Sequence, residues 1–334
     1  MKLTKVQQLY RALVRTAGVV GASMCMLPAV SAQNWDFYTY MPSPNAATKR
    51  ITVMLEDINK ETGGKLAIRL HMGGSLQINT TNITQAVADN IVQMGDDSLF
   101  TGNIPVGGLL RLPLLVRSYA EFDKAAKVVE PVMEAAYKKK GIILLGRYHY
   151  PPQVLWSIKK LTSLADLKGQ KLRVTSPEQG EFLKRFGATS VTIAPPEVAP
   201  AIERGVIDGV VTASAGGGVL WKDLLKYNYR LGINYVDSVV IVNAEAFGKL
   251  APDAQAKVRK IVARAMPQIT QALLNDEEAF TKKFQAEGII VTMPKAEEVK
   301  EDVAQFAPFW ETWAKARGGD TTEVLTKVRT VLGR

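Results

Sequence analysis

The side chains that most often do chemistry are few in this sequence, and their spacing suits no common active site. There are two histidines, His71 and His149, each beside a predicted strand end; neither has a glutamate or a second histidine at metal-ligand spacing. The single cysteine, Cys25, follows Met24, where lipid attachment would want a small residue. No Gly-x-Ser-x-Gly nucleophile elbow occurs. Gly216-Gly217-Gly218 lacks the Lys-Ser/Thr that completes a phosphate-binding loop. The adjacent carboxylates Asp96 and Asp97 point to opposite faces if they lie on a strand, so they need not act together. The expectation is a protein with no catalytic residue, metal ligand or cofactor.

The first 32 residues read as a cleaved signal peptide. Lys2, Lys5, Arg11 and Arg15 form a basic start without an acid, and an apolar stretch runs from Ala17 to Val30. Val30-Ser31-Ala32 then places small residues where signal peptidase needs them. That stretch is shorter than the about 20 residues of a membrane-spanning helix. Gln33 becomes the first mature residue and the location periplasmic. No thiol remains for a disulfide, a zinc-thiolate site or a cysteine nucleophile. The formal charge falls from +10 to +6 as the four basic residues leave. The densest basic run, Lys138-Lys139-Lys140, sits at a predicted helix end without interleaved aromatics, which argues against nucleic acid as a partner.

The 334 residues exceed what one core usually serves, so two lobes are expected. Strand and helix patterns alternate. Leu66–Leu70 reads as a strand, Ile83–Asn90 as a helix, Ile91–Met94 as a strand, Tyr119–Lys140 as a helix and Ile142–Leu145 as a strand. Further on, Glu178–Phe186, Val191–Ile193, Pro196–Arg204 and Gly209–Thr212 keep the rhythm. This predicts an α/β chain with mainly parallel sheets. One segment departs: Ala254–Glu287 is helical throughout, interrupted only by Pro267, where an average helix has about 12 residues. It is expected to run across both lobes, kinked at the proline.

Leu155 to Val174 (LWSIKKLTSLADLKGQKLRV) is the most informative stretch. With Gly63-Gly-Lys-Leu-Ala-Ile68, Leu112-Pro-Leu-Leu115, Gly205-Val-Ile-Asp-Gly209 and Val242-Asn-Ala-Glu-Ala-Phe247, it resembles the solute-binding proteins of tripartite ATP-independent periplasmic (TRAP) transporters, of the dicarboxylate-binding (DctP-like) type. The resemblance covers nearly the whole mature chain, in order. It implies a periplasmic-binding-protein fold with a cleft between two α/β lobes. Residues 33–152 with about 240–265 are expected in the first lobe, 153–239 with about 290–334 in the second, and 254–287 in the long connecting helix. It also implies a monomer that hands a small organic carboxylate to two membrane subunits. A ligand-sensing subunit or a periplasmic enzyme acting on a small carboxylate are the alternatives.

The same resemblance implies the site. Arg173 stands where the family holds the ligand carboxylate, and a guanidinium suits that role through its two parallel donors and permanent charge. Gln153 takes a place where many relatives have a second arginine, which favours a monocarboxylate with a hydroxy, keto or apolar tail. Asp97 and Ser98 match a polar pair that meets ligand hydroxyls, or simply form a turn. Tyr40, Ser176 and Pro195 complete the expected contacts. Thr212 departs from the family's usual asparagine, leaving only a hydroxyl there. Trp221, with Tyr148, Tyr150 and Trp156 as further candidates, is read either as an aromatic wall for an apolar ligand tail or as part of the core.

Overall fold

The structure, a computed structural model, describes residues 33–193 and 195–334. The signal-peptide reading of residues 1–32 lies outside the described residues. β1 (Gln33–Thr39) leads into α1 (Ala46–Glu61), which Asn45 caps by accepting from the Ala47 amide at 2.9 Å. Ile51, Met54, Leu55 and Ile58 recur at helical spacing and are buried, so α1 lies flat on its sheet. Gly63 and Gly64, at φ +65° and +74°, turn the chain back into β2 (Leu66–Met72).

α2 (Ile83–Ala88), β3 (Met94–Asp97), α3 (Tyr119–Lys139) and β4 (Ile142–His149) follow. The strand expected at Ile91–Met94 thus forms three residues later. Asn90 takes φ +56° after α2 and leaves Ile91 exposed, so pairing begins only at Met94. Next come β5 (Gln153–Ser157), β6 (Lys171–Arg173), α4 (Pro177–Arg185), β7 (Thr189–Val191), α5 (Pro195–Glu203), β8 (Gly209–Thr212), α6 (Val219–Trp221) and β9 (Tyr227–Asn234). The chain ends with β10 (Asp237–Asn243), α7 (Ala244–Gly248), α8 (Pro252–Ala286), β11 (Ile290–Thr292), α9 (Ala296–Lys315) and α10 (Gly319–Leu332).

The strands form two sheets, in the orders β2-β1-β3-β10-β4 and β11-β9-β5-β8-β6-β7. They are mixed rather than mainly parallel. The chain passes from one sheet to the other directly, between β4 and β5 and again between β9 and β10. A strand arriving this way, without a crossover helix, runs against its new neighbours: β5 is antiparallel to β8 and β9, and β10 to β3 and β4.

Each sheet has apolar cover on both faces, giving two α/β lobes. One face of the first sheet meets α1 and α8 through Phe37, Ile51, Val240 and Val262. Its other face continues through Phe122 and Trp310 to the side of the second sheet that carries Leu155, Leu172, Val174 and Val211. The remaining face of the second sheet carries Val154, Trp156, Val210 and Trp221, and Phe284 of α8 closes over it. α8 is a single element of 35 residues that runs through Pro267, and it contributes to the cores of both lobes.

Where the chain re-enters the first lobe, Asp237 is fully buried between two arginines. Its carboxylate accepts from Arg111 Nε at 2.8 Å and Arg147 Nη1 at 2.6 Å. Burial alone would raise its pKa, but the two guanidiniums more than offset that and hold it below the usual carboxylate value. A depressed folded-state pKa contributes stability that is complete above the unfolded value near 4 and disappears as the pH falls through the folded value. Asp237→Asn should therefore destabilise the protein at pH 7 by about 3–5 kcal/mol, because it leaves two buried cations uncompensated. Urea titrations at pH 7 and pH 3 check this: the deficit should shrink at the lower pH.

Candidate functional site

Arg173 is the last residue of β6. Its neighbours Leu172 and Val174 face one core, so the pleat turns Arg173 to the other face, over Trp221. The guanidinium carbon lies 5.7 Å from the Trp221 ring, and Nε donates to the Ile193 carbonyl at 3.2 Å. Arg173 is only 8% exposed, yet no carboxylate among the described residues pairs with it. The other deeply set arginines are all compensated, Arg111 and Arg147 by Asp237, Arg230 by Glu277 at 2.8 Å and Arg334 by Glu121 at 2.7 Å. Burial pulls the Arg173 pKa below its ordinary value, and the phenol of Tyr40 opposes that. A guanidinium does not escape by losing its proton. It is a desolvated cation with its planar donor pair still to satisfy.

Tyr40 comes from the other lobe, just past β1, and Ser98 just past the neighbouring parallel strand β3. Thr212 ends β8, which runs parallel to β6. All of these stand at the carboxyl ends of parallel strands, where open α/β sheets place their ligands. Thr212 Oγ1 accepts from the Gly217 amide at 2.9 Å, which leaves its own proton free to donate. A side chain at Gly217 would meet the Trp221 ring at 2.3 Å, so only glycine lets this turn close against the tryptophan. The turn is also clasped from α8, since Glu277 accepts from the Ala215 amide at 2.7 Å.

The structure uses other expected residues differently. Asp97 is fully buried, and its carboxylate is taken by the Thr84 hydroxyl and, at 3.0 Å, by the Leu99 amide. Burial pushes its pKa to about 6. β3 runs through Asp97, so the pleat aims Asp96 and Asp97 apart, and Asp97 serves the turn rather than the cleft. Gln153 lies at the same sheet edge as Thr212, but its amide folds back onto the Pro151 carbonyl at 3.1 Å. Ser176 caps α4 by accepting from the Gln179 amide at 3.4 Å. Pro195 opens α5; its side chain lies outside the described residues.

Tyr148 and Tyr150, read from sequence as apolar walls, act through their hydroxyls instead. Tyr148 donates to Asp96 at 2.9 Å, and its oxygen lies 3.2 Å from that of Tyr150, which reaches Tyr40. Alternate tyrosines at a strand end, facing an acid on another strand, were the available signal. His149 stacks on Tyr119 and packs at a tilt against Phe122, and His71 pairs with Asp36 at 2.7 Å. Among the described residues no group of three or more His, Cys, Asp or Glu converges to hold a metal ion. A depression of about 340 Å³ opens beside Leu114, Pro152, Arg230 and Met293, away from Arg173. Its arginines, Arg230 and Arg117, already have acidic partners, so the unmet charge is at Arg173 and not there.

The sequence model of the bacterial extracellular solute-binding proteins, family 7 (DctP), matches residues 37–316. The chain belongs to this family. This DctP-type receptor is 27% identical over 205 residues to the sialic acid-binding periplasmic protein SiaP of Vibrio cholerae, a match spanning 59% of this chain and 63% of SiaP. Its fold superimposes on DctP7 of Bordetella pertussis with a TM-score of 0.80 at 26% identity, covering 89% of this chain and 99% of that one. For DctP6 of the same organism the TM-score is 0.81 at 27% identity, over 89% and 100% of the two chains. Both are described as extracytoplasmic solute receptors binding pyroglutamic acid. Among the described residues of the DctP-type chain, no helix is long and apolar enough to cross a membrane.

An arginine kept for an incoming anion should be a burden to the empty protein. Arg173→Met, which removes the buried charge and keeps much of the volume, is expected to be at least as stable to urea as wild type without carboxylates in the buffer. A loss beyond about 1 kcal/mol would mark Arg173 as a structural residue instead.

Proposed function

We propose that this protein is the extracytoplasmic receptor of a TRAP transporter. In this reading it captures a small organic monocarboxylate in the interlobe cleft and delivers it, unchanged, to the membrane subunits. The observation that carries the reading is Arg173, buried, unpaired and facing the phenol of Tyr40 from the opposite lobe. A carboxylate bound there gains two charge-assisted hydrogen bonds and neutralises a cation that the fold leaves bare. The Trp221 ring beside the guanidinium offers an apolar surface to the rest of the ligand. Thr212 is placed to add one hydroxyl donor.

One free guanidinium suits one carboxylate. Arg111, Arg147 and Arg230 are committed to acids of the protein, and Gln153 brings no charge. A second carboxylate in the cleft would be desolvated without a partner, at several kcal/mol. The pyroglutamic acid described for DctP6 and DctP7 is a compact monocarboxylate and a fitting first probe.

A thermal-shift panel should show stabilisation by small monocarboxylates, pyroglutamate among them, and weaker effects from succinate and malate. Saturation at 100 times Kd is worth about 2.7 kcal/mol, which such a screen detects. Mass spectrometry should recover the acid unaltered, as expected of a receptor and not of an enzyme. Arg173→Ala should lose roughly 2–5 kcal/mol of that binding, or about one and a half to three and a half decades in affinity. Malate or succinate proving the best ligand would overturn the monocarboxylate reading.

A ligand held by both lobes also favours the closed arrangement by its differential affinity for it. Small-angle scattering should record a smaller radius of gyration with saturating ligand. An unchanged radius would point to a rigid pocket.

A further inference from the structure

The loop after Arg173 is tied to the opposite wall through two buried amide side chains. Thr175, two residues beyond Arg173, donates to Gln179 Oε1 through its amide at 2.8 Å and its hydroxyl at 2.9 Å. Gln179 is fully buried in α4, and its Nε2 donates to Asn234 Oδ1 at 3.0 Å. Asn234, the buried last residue of β9, carries the line on: its Nδ2 donates to the Arg111 carbonyl at 3.1 Å. Arg111 Nη1 then donates to the Ser98 carbonyl at 2.6 Å, and Nε to Asp237 at 2.8 Å. The line thus begins beside Arg173 on the second sheet and ends at Ser98 and Asp237 of the first.

Backbone groups at its two ends fix its polarity. A backbone N–H only donates and a carbonyl only accepts, so both amide side chains have one arrangement that satisfies every group. Exchanging O and N in either one opposes donor to donor and acceptor to acceptor. The crossing is reinforced beside it. The Leu114 amide donates to the Ile233 carbonyl at 2.8 Å, with Leu114 at φ +60°, a left-handed backbone that a leucine adopts only at a cost. Trp310 Nε1 donates to the Pro113 carbonyl at 2.8 Å. The Leu112-Pro-Leu-Leu115 motif therefore holds the Arg111 loop against the end of β9. This junction lies where the chain itself passes from β9 to β10 and so between the sheets.

We propose that Gln179 and Asn234 set the spacing between the Arg173 wall and the Ser98 wall, and so act as positioning residues for the bound anion without touching it. The proposal rests on reading Arg173 as the carboxylate anchor. Neither side chain is free for a ligand, because each polar atom of both already has a partner within the protein. What they supply is distance. A carboxylate held by Arg173 reaches the opposite wall only when the walls stand a ligand's length apart, and hydrogen bonds behind the contact residues hold such a geometry.

The test begins with a distance measurement that needs no ligand. Cys25→Ser removes the chain's only cysteine, and Val53→Cys on α1 with Val206→Cys ahead of β8 then gives each lobe one exposed site for a nitroxide label. Pulsed electron spin resonance reads the spacing between the labels. Asn234→Leu and Gln179→Met break the line at different points, so either serves if the other folds poorly. Each should shift the mean distance by at least about 2 Å from that of the same labelled pair with the line intact. Calorimetry with pyroglutamate should show affinity at least about tenfold weaker than wild type. A merely structural role would lower the urea midpoint and leave the distance alone, as Ile51→Val in the first core should do. An unchanged distance in the folded variants overturns the proposal. So does a changed distance with pyroglutamate affinity within about threefold of wild type. If wild type does not bind pyroglutamate, the ligand reading is what fails, and the distance still decides whether the line spaces the walls.

Discussion

A guanidinium removed from water without a carboxylate of its own is the constraint around which this receptor is arranged. Such a charge costs several kcal/mol unless it is paired, and an arginine has no neutral form to retreat to. The fold meets that demand within itself at Arg111, Arg147, Arg230 and Arg334, and declines to meet it at Arg173. In the proposed reading, this withheld counter-charge becomes affinity for an anion. The ring of Trp221 and the carbonyl of Ile193 orient the group without neutralising it.

Everything else in the molecule keeps the deficit confined to that point. Asp237 fastens the strand that returns from the second lobe, drawing Arg111 from the loop before α3 and Arg147 from β4 onto one carboxylate. The long helix α8 is bonded to the glycine-rich turn after β8 through Glu277 and Ala215, and through that turn to the Trp221 side of the cleft. Its first half lies in the core of the first lobe and its last turns in that of the second. A single element thus contributes to the cores behind both walls.

The two walls differ in kind. Arg173 presents fixed positive charge, whereas Tyr40 and Ser98 present hydroxyls backed by a buried acid. In the proposed reading, a ligand bridging them needs one end for each, and this asymmetry sets its orientation. The histidines are engaged by Asp36 and by aromatic rings, and the adjacent acids Asp96 and Asp97 are directed away from each other with their lone pairs satisfied by hydroxyls and an amide.

Local pattern made much of this legible. Helical spacing in α1 and α8, glycines after helices and the strand-helix rhythm follow from backbone geometry within a dozen residues, and the segment around Arg173 carried its family in its side chains. The mixed pairing of β5 and β10 was not legible, because strand direction depends on where the chain comes from in space. For Asp97 both a cleft contact and a turn stood open, and the Thr84 hydroxyl and the Leu99 amide take its carboxylate into the turn. Sequence determined that an arginine would end β6. Only tertiary structure decided that it would lack a counter-ion, and that the hydroxyls of Tyr148 and Tyr150 would meet beside the buried Asp96. Charge compensation and hydrogen-bond pairing are properties of neighbours distant along the chain, Asp96 with Ser238 or Arg111 with Asp237, and no local spacing encodes them.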